Sequence, residues 1–168
     1  MTGEVEVRLL KPSEAEALRA LRLEALTRDE ASFASNAETE AAKPLSWFVE
    51  RIGEGVLGAF AGDALVGMAG YDRHANPKQR HKATLYGMYL RADHRGSGVA
   101  GKLIAGVITH ARGEGVEILL LAVNAANLRA IRLYELAGFV QYGLEPRALK
   151  QPDGTYSDDE LYWLPLDS

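Results

Sequence analysis

The stretch RGSGVAGKLI, residues 95–104, decides which fold and which ligand the sequence predicts. Three anion-binding patterns overlap in it: R-x-x-G-x-A begins at Arg95, and both G-x-G-x-x-G and G-x-x-x-x-G-K begin at Gly96. All three depend on the same physics. Glycines allow consecutive N–H groups to gather round an anion, just before a helix whose N-terminus is partly positive. The residues on either side of the stretch must therefore decide which anion is bound.

The segments around this loop predict an α/β (α+β) domain with a largely antiparallel sheet. Apolar alternation and continuous apolar runs predict strands at residues 5–10, 55–62, 64–74, 82–90, 117–123, 139–145 and 160–166. Helical spacing and end signals predict helices from the capping box Ser13-x-x-Glu16, over residues 44–52, from the glycine loop to about His110, and from Asn127 to Gly138.

Three local expectations complete this outline. Gly62-Asp63 predicts a tight hairpin turn. The nearly continuous apolar run at residues 117–123 predicts a strand buried on both faces. The polar residues 27–43 predict a loop, which would leave the first helix separated from the second by an irregular segment.

Length and composition limit the partners. The 168 residues fit a single domain spanning residues 1–168, and the 47% apolar and 25% charged content is ordinary for a globular protein. A net charge of −4 predicts no general affinity for nucleic acid. The chain has no cysteine, which excludes disulfides and thiolate metal sites and fits a reducing compartment. No secretion signal and no apolar run of about 20 residues is visible, so we expect a cytoplasmic protein without a membrane partner.

Two of the three loop patterns lack their supporting residues. A dinucleotide loop follows its strand closely and needs an acidic residue at the end of the next strand. Here RADHR intervenes after Leu90, and the next strand ends in Asn124. A P-loop needs Ser or Thr after its lysine to bind magnesium, and that position holds Leu103. The four histidines have no spacing that suggests a metal site, so no metal is expected.

The third pattern is supported downstream. LYGMYLRADHRGSGVAGKLI followed by LLLAVNAANLRAIRLYELAGF closely resembles the GNAT superfamily of N-acetyltransferases. The resemblance is strongest over about a third of the chain, residues 82–139, and the order of the elements extends it to the whole. Ala92 departs from the pattern where such proteins often carry proline, and Ala100 stands where glycine is common.

The resemblance implies a site for acetyl-CoA as cosubstrate. In this family the strand before the loop separates from its neighbour and pairs with the pantetheine arm as though with another strand. The implied coenzyme-binding residues are Met88, Tyr89 and Leu90 of the strand, Arg95, Gly96, Ser97, Gly98, Val99, Ala100 and Gly101 of the loop, and Asn127 and Tyr134 of the last helix. Asn127 also has the simpler role of helix N-cap, and Tyr134 that of a core aromatic.

The implied reaction is direct acetyl transfer to an amine, with Tyr134 donating a proton to the departing thiolate. The base that deprotonates the amine stays undetermined, because Thr84, Tyr86 and Ala122 stand where relatives carry ionisable groups. His81, Glu30 and a water chain are the candidates.

The acceptor is a small-molecule or peptide amine whose identity the sequence leaves open. Residues 29–33 and 145–150 are the expected specificity segments, with Glu30, Phe33 and Tyr86 as candidate substrate contacts. Acidic residues at Asp29, Glu30, Glu38 and Glu40 are expected either to attract a cationic amine or simply to be solvated. The alternatives are an acyltransferase for a longer acyl chain and a non-catalytic acyl-CoA sensor; a homodimer is compatible with the sequence.

Overall fold

A computed structural model describes residues 3–167, so Met1, Thr2 and Ser168 of the predicted domain lie outside the described residues. The strands are β1 (Val5–Leu9), β2 (Val56–Ala61), β3 (Ala64–Arg73), β4 (Lys82–Leu90), β5 (Ile118–Asn124), β6 (Val140–Lys150) and β7 (Tyr156–Pro165). The helices are α1 (Ala15–Arg28), α2 (Ala37–Ala41), α3 (Leu45–Gly55), α4 (Val99–Gly113) and α5 (Leu128–Leu136). This order confirms the predicted α/β domain, with α2 as an additional short helix.

The seven strands form one sheet in the order β1-β2-β3-β4-β5-β7-β6. Only the β4–β5 pair is parallel, so the prediction of a largely antiparallel sheet is confirmed. The predicted hairpin turn is also present, since Gly62 adopts the positive φ of +62° between β2 and β3.

Two apolar clusters cover the two faces of the sheet. Met68 and Ala69 are neighbours on β3, so their side chains point to opposite faces, and they belong to different clusters. The Ala69 cluster includes the apolar stripe of α4, and the Met68 cluster includes the inner faces of α1 and α3. The sheet is therefore a central layer with α4 on one side and α1 with α3 on the other.

The prediction that residues 117–123 are buried on both faces is wrong. Leu119, Leu121 and Val123 are buried, but Leu120 is half-buried and Ala122 is exposed. One face of β5 packs in the core, and the other opens at Ala122 onto the cleft described below. A run of apolar residues hides this difference because apolar side chains also contribute much of a protein's exposed surface.

Two predictions near the first helix are also wrong. The capping box is not at Ser13: the Glu14 carboxylate accepts from the Lys11 N–H at 2.7 Å and pairs with Arg8 at 2.7 Å, and α1 begins at Ala15. Residues 27–43 are not a continuous loop. They contain the end of α1, a 3₁₀ turn at Glu30–Ser32 and α2, whose N-cap Asn36 accepts from the Thr39 N–H at 2.8 Å.

Candidate active site

Strands β4 and β5 pair over only three residues and then separate. Their partners are Lys82 with Ile118, Ala83 with Leu119 and Thr84 with Leu120. Beyond Thr84, strand β4 pairs with β3 alone. The backbone edge of β4 that faces β5 is therefore free of a strand partner from Leu85 to Leu90, which is the separation implied by the resemblance.

A bulge in β4 lies at the point where the strands separate. Gly87 has a φ of +68°, and the β3–β4 register shifts between the pairs Gly70–Tyr86 and Met68–Tyr89. The extra residue lets Tyr86 and Tyr89 both face the α1–α3 side, where Tyr89 joins the apolar cluster and Tyr86 stacks against Arg51. Glycine suits this positive φ, and a Cβ at Gly87 would approach Arg22 Nη1 to 3.0 Å.

A cleft of about 350 Å³ fills the gap between the strands. The predicted site residues that line it are Phe33, Tyr86, Met88, Tyr89, Leu90, Arg95, Gly96, Gly98, Ala100, Gly101, Asn127 and Tyr134. The side chains of three other predicted site residues do not line the cleft. Ser97 bonds to the His94 carbonyl at 2.6 Å, Val99 is buried in the core, and Glu30 is exposed.

The glycine loop presents free backbone donors to the cleft. Gly96 and Gly98 have φ values of +81° and +83°, and Gly98 is the N-cap of α4. Within residues 3–167, the N–H groups of Gly96, Ser97 and Gly98 donate no hydrogen bond. Arg95 Nε donates to the Leu90 carbonyl at 2.9 Å, which holds the loop against the end of β4. This arrangement, together with the positive end of the helix, suits an anion such as a pyrophosphate.

Two arginines that the sequence analysis missed add positive charge. Arg129 and Arg132 of α5 line the cleft opposite the loop that carries Arg95. Arg129 also lines an adjoining depression with Arg28 and Arg91. Their spacing of three residues predicts that Arg129 and Arg132 share one face of the helix. The sequence does not show that this face points to the cleft, because that depends on where α5 packs.

Tyr134 is almost entirely buried beside the cleft, with 7% of its surface exposed. Its ring packs edge-on against Phe139, with the centroids 5.9 Å apart. Burial raises the pKa of the phenol well above its usual range, so Tyr134 is protonated at neutral pH. Asn127 caps α5 by accepting from the Ala130 N–H at 3.2 Å, which confirms its predicted structural role.

The segment after α1 closes one end of the cleft. Asp29, Ser32 and Phe33 line it, and the segment is joined to the β5–α5 region by two bonds: Asn124 Nδ2 donates to the Ala31 carbonyl and Asn127 Nδ2 to Ser32 Oγ. The second predicted specificity segment lies elsewhere. Residues 145–150 form part of β6 and do not line the cleft.

Glu40 neither faces the cleft, where it could attract a cationic amine, nor is solvated, which were the two expectations for the acidic residues. Only 3% of it is exposed, and its carboxylate accepts from Arg22 Nε and Nη2 at 2.8 and 3.0 Å. Burial acts to raise the pKa of Glu40, but the hydrogen bonds and charge of Arg22 outweigh it and the pKa lies below its usual range. Glu40 is therefore an ionised structural partner of Arg22.

No histidine and no glutamate lines the cleft among the described residues, and Asp29 is its one carboxylate. His81 precedes β4, about 20 Å along the strand from Gly87. His74, which does not line the cleft, bonds through Nε2 to Thr84 Oγ1 at 2.9 Å. Within residues 3–167 there is no group of three His, Cys, Asp or Glu side chains suited to a metal ion, and no helix is long and apolar enough to cross a membrane.

The fold is shared with solved structures of acetyltransferases. An acetyltransferase of the GNAT family from Streptococcus pneumoniae superposes with a TM-score of 0.86 at 20% identity, covering 96% of this chain and 99% of the other. The protein YncA from Salmonella typhimurium, solved with its cofactor acetyl-CoA, superposes with a TM-score of 0.83 at 20% identity, covering 99% of this chain and 96% of the other.

Sequence comparison makes the assignment specific. The model of the Acetyltransferase (GNAT) family matches residues 18–139, and the chain belongs to this family. It is accordingly an acyltransferase with acetyl-CoA as its cosubstrate. An L-methionine sulfoximine/L-methionine sulfone acetyltransferase from Pseudomonas aeruginosa is 29% identical over 125 residues, which cover 73% of this chain and 72% of the relative.

Proposed function

We propose that this protein transfers the acetyl group of acetyl-CoA directly to the amine of an acceptor, without a covalent enzyme intermediate. The observation that carries the proposal is the free edge of β4 beyond Thr84, which is followed, after a 3₁₀ turn at Ala92–His94, by the glycine loop. One element offers hydrogen bonds to an extended amide-containing arm, and the other offers donors to its phosphates.

The coenzyme is held along this route. Backbone groups of Met88, Tyr89 and Leu90 pair with the pantetheine amides as a strand partner would. The N–H groups from Gly96 to Gly101 receive the pyrophosphate, so Ser97 and Val99 contribute through their backbone although their side chains face away. The guanidinium groups of the cleft supply the opposing charge.

The thioester then lies near the bulge at Gly87, between the acceptor side and Tyr134. The neutral amine attacks the thioester carbonyl and a C–N bond forms. As the C–S bond breaks, the electron pair goes to sulfur, and the Tyr134 phenol donates its proton to the thiolate. Burial raises the pKa of Tyr134, which keeps the phenol protonated at neutral pH but makes it a weaker acid than a free phenol, so the transfer depends on a thiolate that is itself desolvated in the cleft.

The amine proton leaves through water. His81 and Glu30 both lie outside the cleft, and none of the described residues that line it is a histidine or a glutamate. An alkyl amine with a pKa near ~10 must lose a proton before it attacks, so the pH dependence of kcat/KM should follow the amine itself.

We also propose that the protein works in the cytoplasm as a homodimer. The lack of cysteine is compatible with a reducing compartment. Exposed apolar side chains on the edge strand β6 and its neighbour β7, namely Val140, Tyr142 and Trp163, form the surface offered to a second copy. Sedimentation at several concentrations tests this: a monomer throughout would contradict the homodimer.

Release of free coenzyme A thiol, measured with a panel of amines, tests the proposed activity. Acetyl-CoA and longer acyl-CoA donors are compared with each amine. We expect amine-dependent thiol release with acetyl-CoA and a mass increase of one acetyl group on the amine. Binding of acetyl-CoA without transfer to any amine would indicate a sensor. Faster transfer from longer acyl-CoA donors would indicate that a longer acyl-CoA, and not acetyl-CoA, is the preferred donor.

A further inference from the structure

A second, smaller cavity lies on the α1–α3 side of the β4 bulge. It has a volume of about 20 Å³, enough for one water-sized group, and it shares Tyr86 and Gly87 with the large cleft. Arg22 of α1 and Arg51 of α3 line it together with Trp47. The cavity is therefore a recess lined mainly by apolar side chains, with Arg22, Arg51 and Tyr86 as its polar groups, and it lies at the acceptor side of the expected thioester position.

Three buried polar atoms around this recess make no hydrogen bond of good geometry within residues 3–167, namely Arg22 Nη1, Arg51 Nε and the Tyr86 hydroxyl, although the neighbouring Arg51 guanidinium interacts electrostatically with that hydroxyl. Both arginine atoms can only donate, and burial raises the pKa of Tyr86, which keeps its hydroxyl as a donor too. Unpartnered buried donors cost free energy, and they converge on a space that a ligand oxygen can enter.

Both guanidinium groups are held in fixed orientations. Arg51 lies between aromatic rings, 4.2 Å from the centroid of Trp47 and 4.9 Å from that of Tyr86. The two other nitrogens of Arg22 bind Glu40, and its guanidinium lies 5.2 Å from the centroid of Phe33. Stacking thus holds the faces of the Arg51 guanidinium, and the ion pair with Glu40 holds one edge of the Arg22 guanidinium. Arg51 Nε and Arg22 Nη1 are left to donate at the recess.

The charge around the recess is positive. Glu40 is buried and neutralises one of the two guanidinium groups. Asp72 is the nearest partner of Arg51, at 3.4 Å, and its side chain is 48% exposed, so water screens much of its charge. A carboxylate that places one oxygen in the recess and keeps the other at its mouth would accept hydrogen bonds from these donors and balance the excess positive charge.

We propose that Arg22, Arg51 and Tyr86 form a carboxylate subsite, and that the acceptor is a free α-amino acid or a close analogue. This rests on the proposed function. Arg22 Nη1 lies 3.0 Å from the position that a Cβ of Gly87 would take, beside the expected thioester. In an α-amino acid one carbon joins the amine to the carboxylate, so a carboxylate at the recess puts the amine at the bulge. Protein lysines and peptide N-termini have no carboxylate at that distance.

Matched acceptors test the subsite. L-Leucine is compared with isopentylamine, L-phenylalanine with phenethylamine, and L-methionine sulfone with its decarboxylated amine, using thiol release at saturating acetyl-CoA. We expect kcat/KM to favour the amino acid by roughly 10²-fold in at least one pair, because an amine without the carboxylate leaves the buried donors unpaired. Equal or better kcat/KM for the decarboxylated amine in every pair would overturn the subsite and leave the acetyltransferase activity intact.

Variants locate the effect. Arg51→Gln and Tyr86→Phe, which keeps the ring, should each reduce the amino-acid preference about 10-fold or more. The matched control is Arg8→Gln, which removes an arginine stacked 4.1 Å over Phe60 outside the recess and should leave the preference unchanged. An unchanged preference in both Arg51→Gln and Tyr86→Phe would place the carboxylate elsewhere.

Calorimetry separates this proposal from the activity. The protein saturated with coenzyme A is titrated with the same amino acids and amines. Binding that needs the carboxylate and is lost in Arg51→Gln supports the subsite even if no acceptor is turned over. Equal affinity for both members of every pair contradicts it.

Discussion

Thr84 and Leu120 form the last backbone pair between β4 and β5, and the six residues of β4 that follow have no partner on that side. At about 3.3 Å per residue, these six residues leave about 20 Å of strand edge unpaired. Such an edge invites pairing with another extended chain. Here the edge ends at the glycine loop, so one continuous surface can hold both the amide arm and the phosphates of a coenzyme.

Replacement of Tyr134 by phenylalanine tests the general acid. Tyr134→Phe keeps the ring and its contact with Phe139 but removes the proton. If Tyr134 protonates the thiolate, kcat should fall by roughly 10²-fold or more, while coenzyme affinity and Tm change little. Steady-state thiol release, with calorimetry and thermal unfolding on the same protein, measures all three.

Tyr162 is the matched control. It is also a buried tyrosine, and its hydroxyl donates to Glu160 on β7 at 2.8 Å outside the cleft. Tyr162→Phe should leave kcat near its wild-type value. If Tyr134→Phe retains wild-type kcat while chemistry is rate-limiting, and loses stability instead, then Tyr134 is a core aromatic and the thiolate leaves without it.

Phe33→Ala should weaken acceptor binding. The ring of Phe33 lines the cleft and lies over Arg22, so its removal opens the acceptor end and loosens that guanidinium. We expect the acceptor KM to rise about 10-fold and the coenzyme Kd to stay within about 2-fold. Glu30→Gln, at an exposed position in the same segment, serves as the control. Equal acceptor KM values in wild type and Phe33→Ala would move the acceptor pocket away from this segment.

Acid should destabilise the fold partly through Glu14. The ion pair with Arg8 lowers the pKa of Glu14 from 4.5 to about 2. A folded-state pKa below the unfolded value means that this stabilisation is complete above pH 4.5 and is lost as the pH falls toward 2. Glu14→Gln should therefore lower the free energy of unfolding by about 1 kcal/mol at pH 7 and converge with wild type near pH 2. Urea unfolding from pH 2.5 to 7 measures the difference; a gap that is constant with pH would exclude this origin.

Much of the fold could be predicted because local signals and global architecture agree. Gly62-Asp63, the β4 strand, the glycine loop and the Asn127 cap each follow from a short-range rule. The failures were of two kinds. Ser13 and Glu14 both carry side chains that can cap a helix, and the choice depended on Arg8 lying within reach. The exposed face of β5 depended on the gap that opens after Leu120, which no apolar pattern records.

Most of the predicted coenzyme residues that line the cleft could be named from the sequence, because they are contiguous in β4 and the loop; Arg129 and Arg132 of α5 could not. The acceptor side was not accessible from the sequence. Arg22, Glu40 and Arg51 lie on three different helices and meet only through tertiary packing. A buried carboxylate such as Glu40 looks like any solvated glutamate until its partner is placed beside it.

Calorimetric titration of acetyl-CoA into Gly101→Asp, with Gly101→Asn as control, tests whether the glycine loop binds the pyrophosphate of the coenzyme. Gly101 lies in the first turn of α4, and a Cβ there meets no atom within 4 Å, so neither substitution strains the fold. An aspartate near a helix N-terminus should preserve or raise Tm, whereas its charge opposes a bound pyrophosphate. We predict that Gly101→Asn binds acetyl-CoA nearly as wild type does, and that Gly101→Asp binds it at least ~10-fold more weakly. Undiminished affinity in a folded Gly101→Asp protein, or tighter binding of NAD or ATP than of acetyl-CoA to wild type, would contradict the placement of the coenzyme pyrophosphate at this loop.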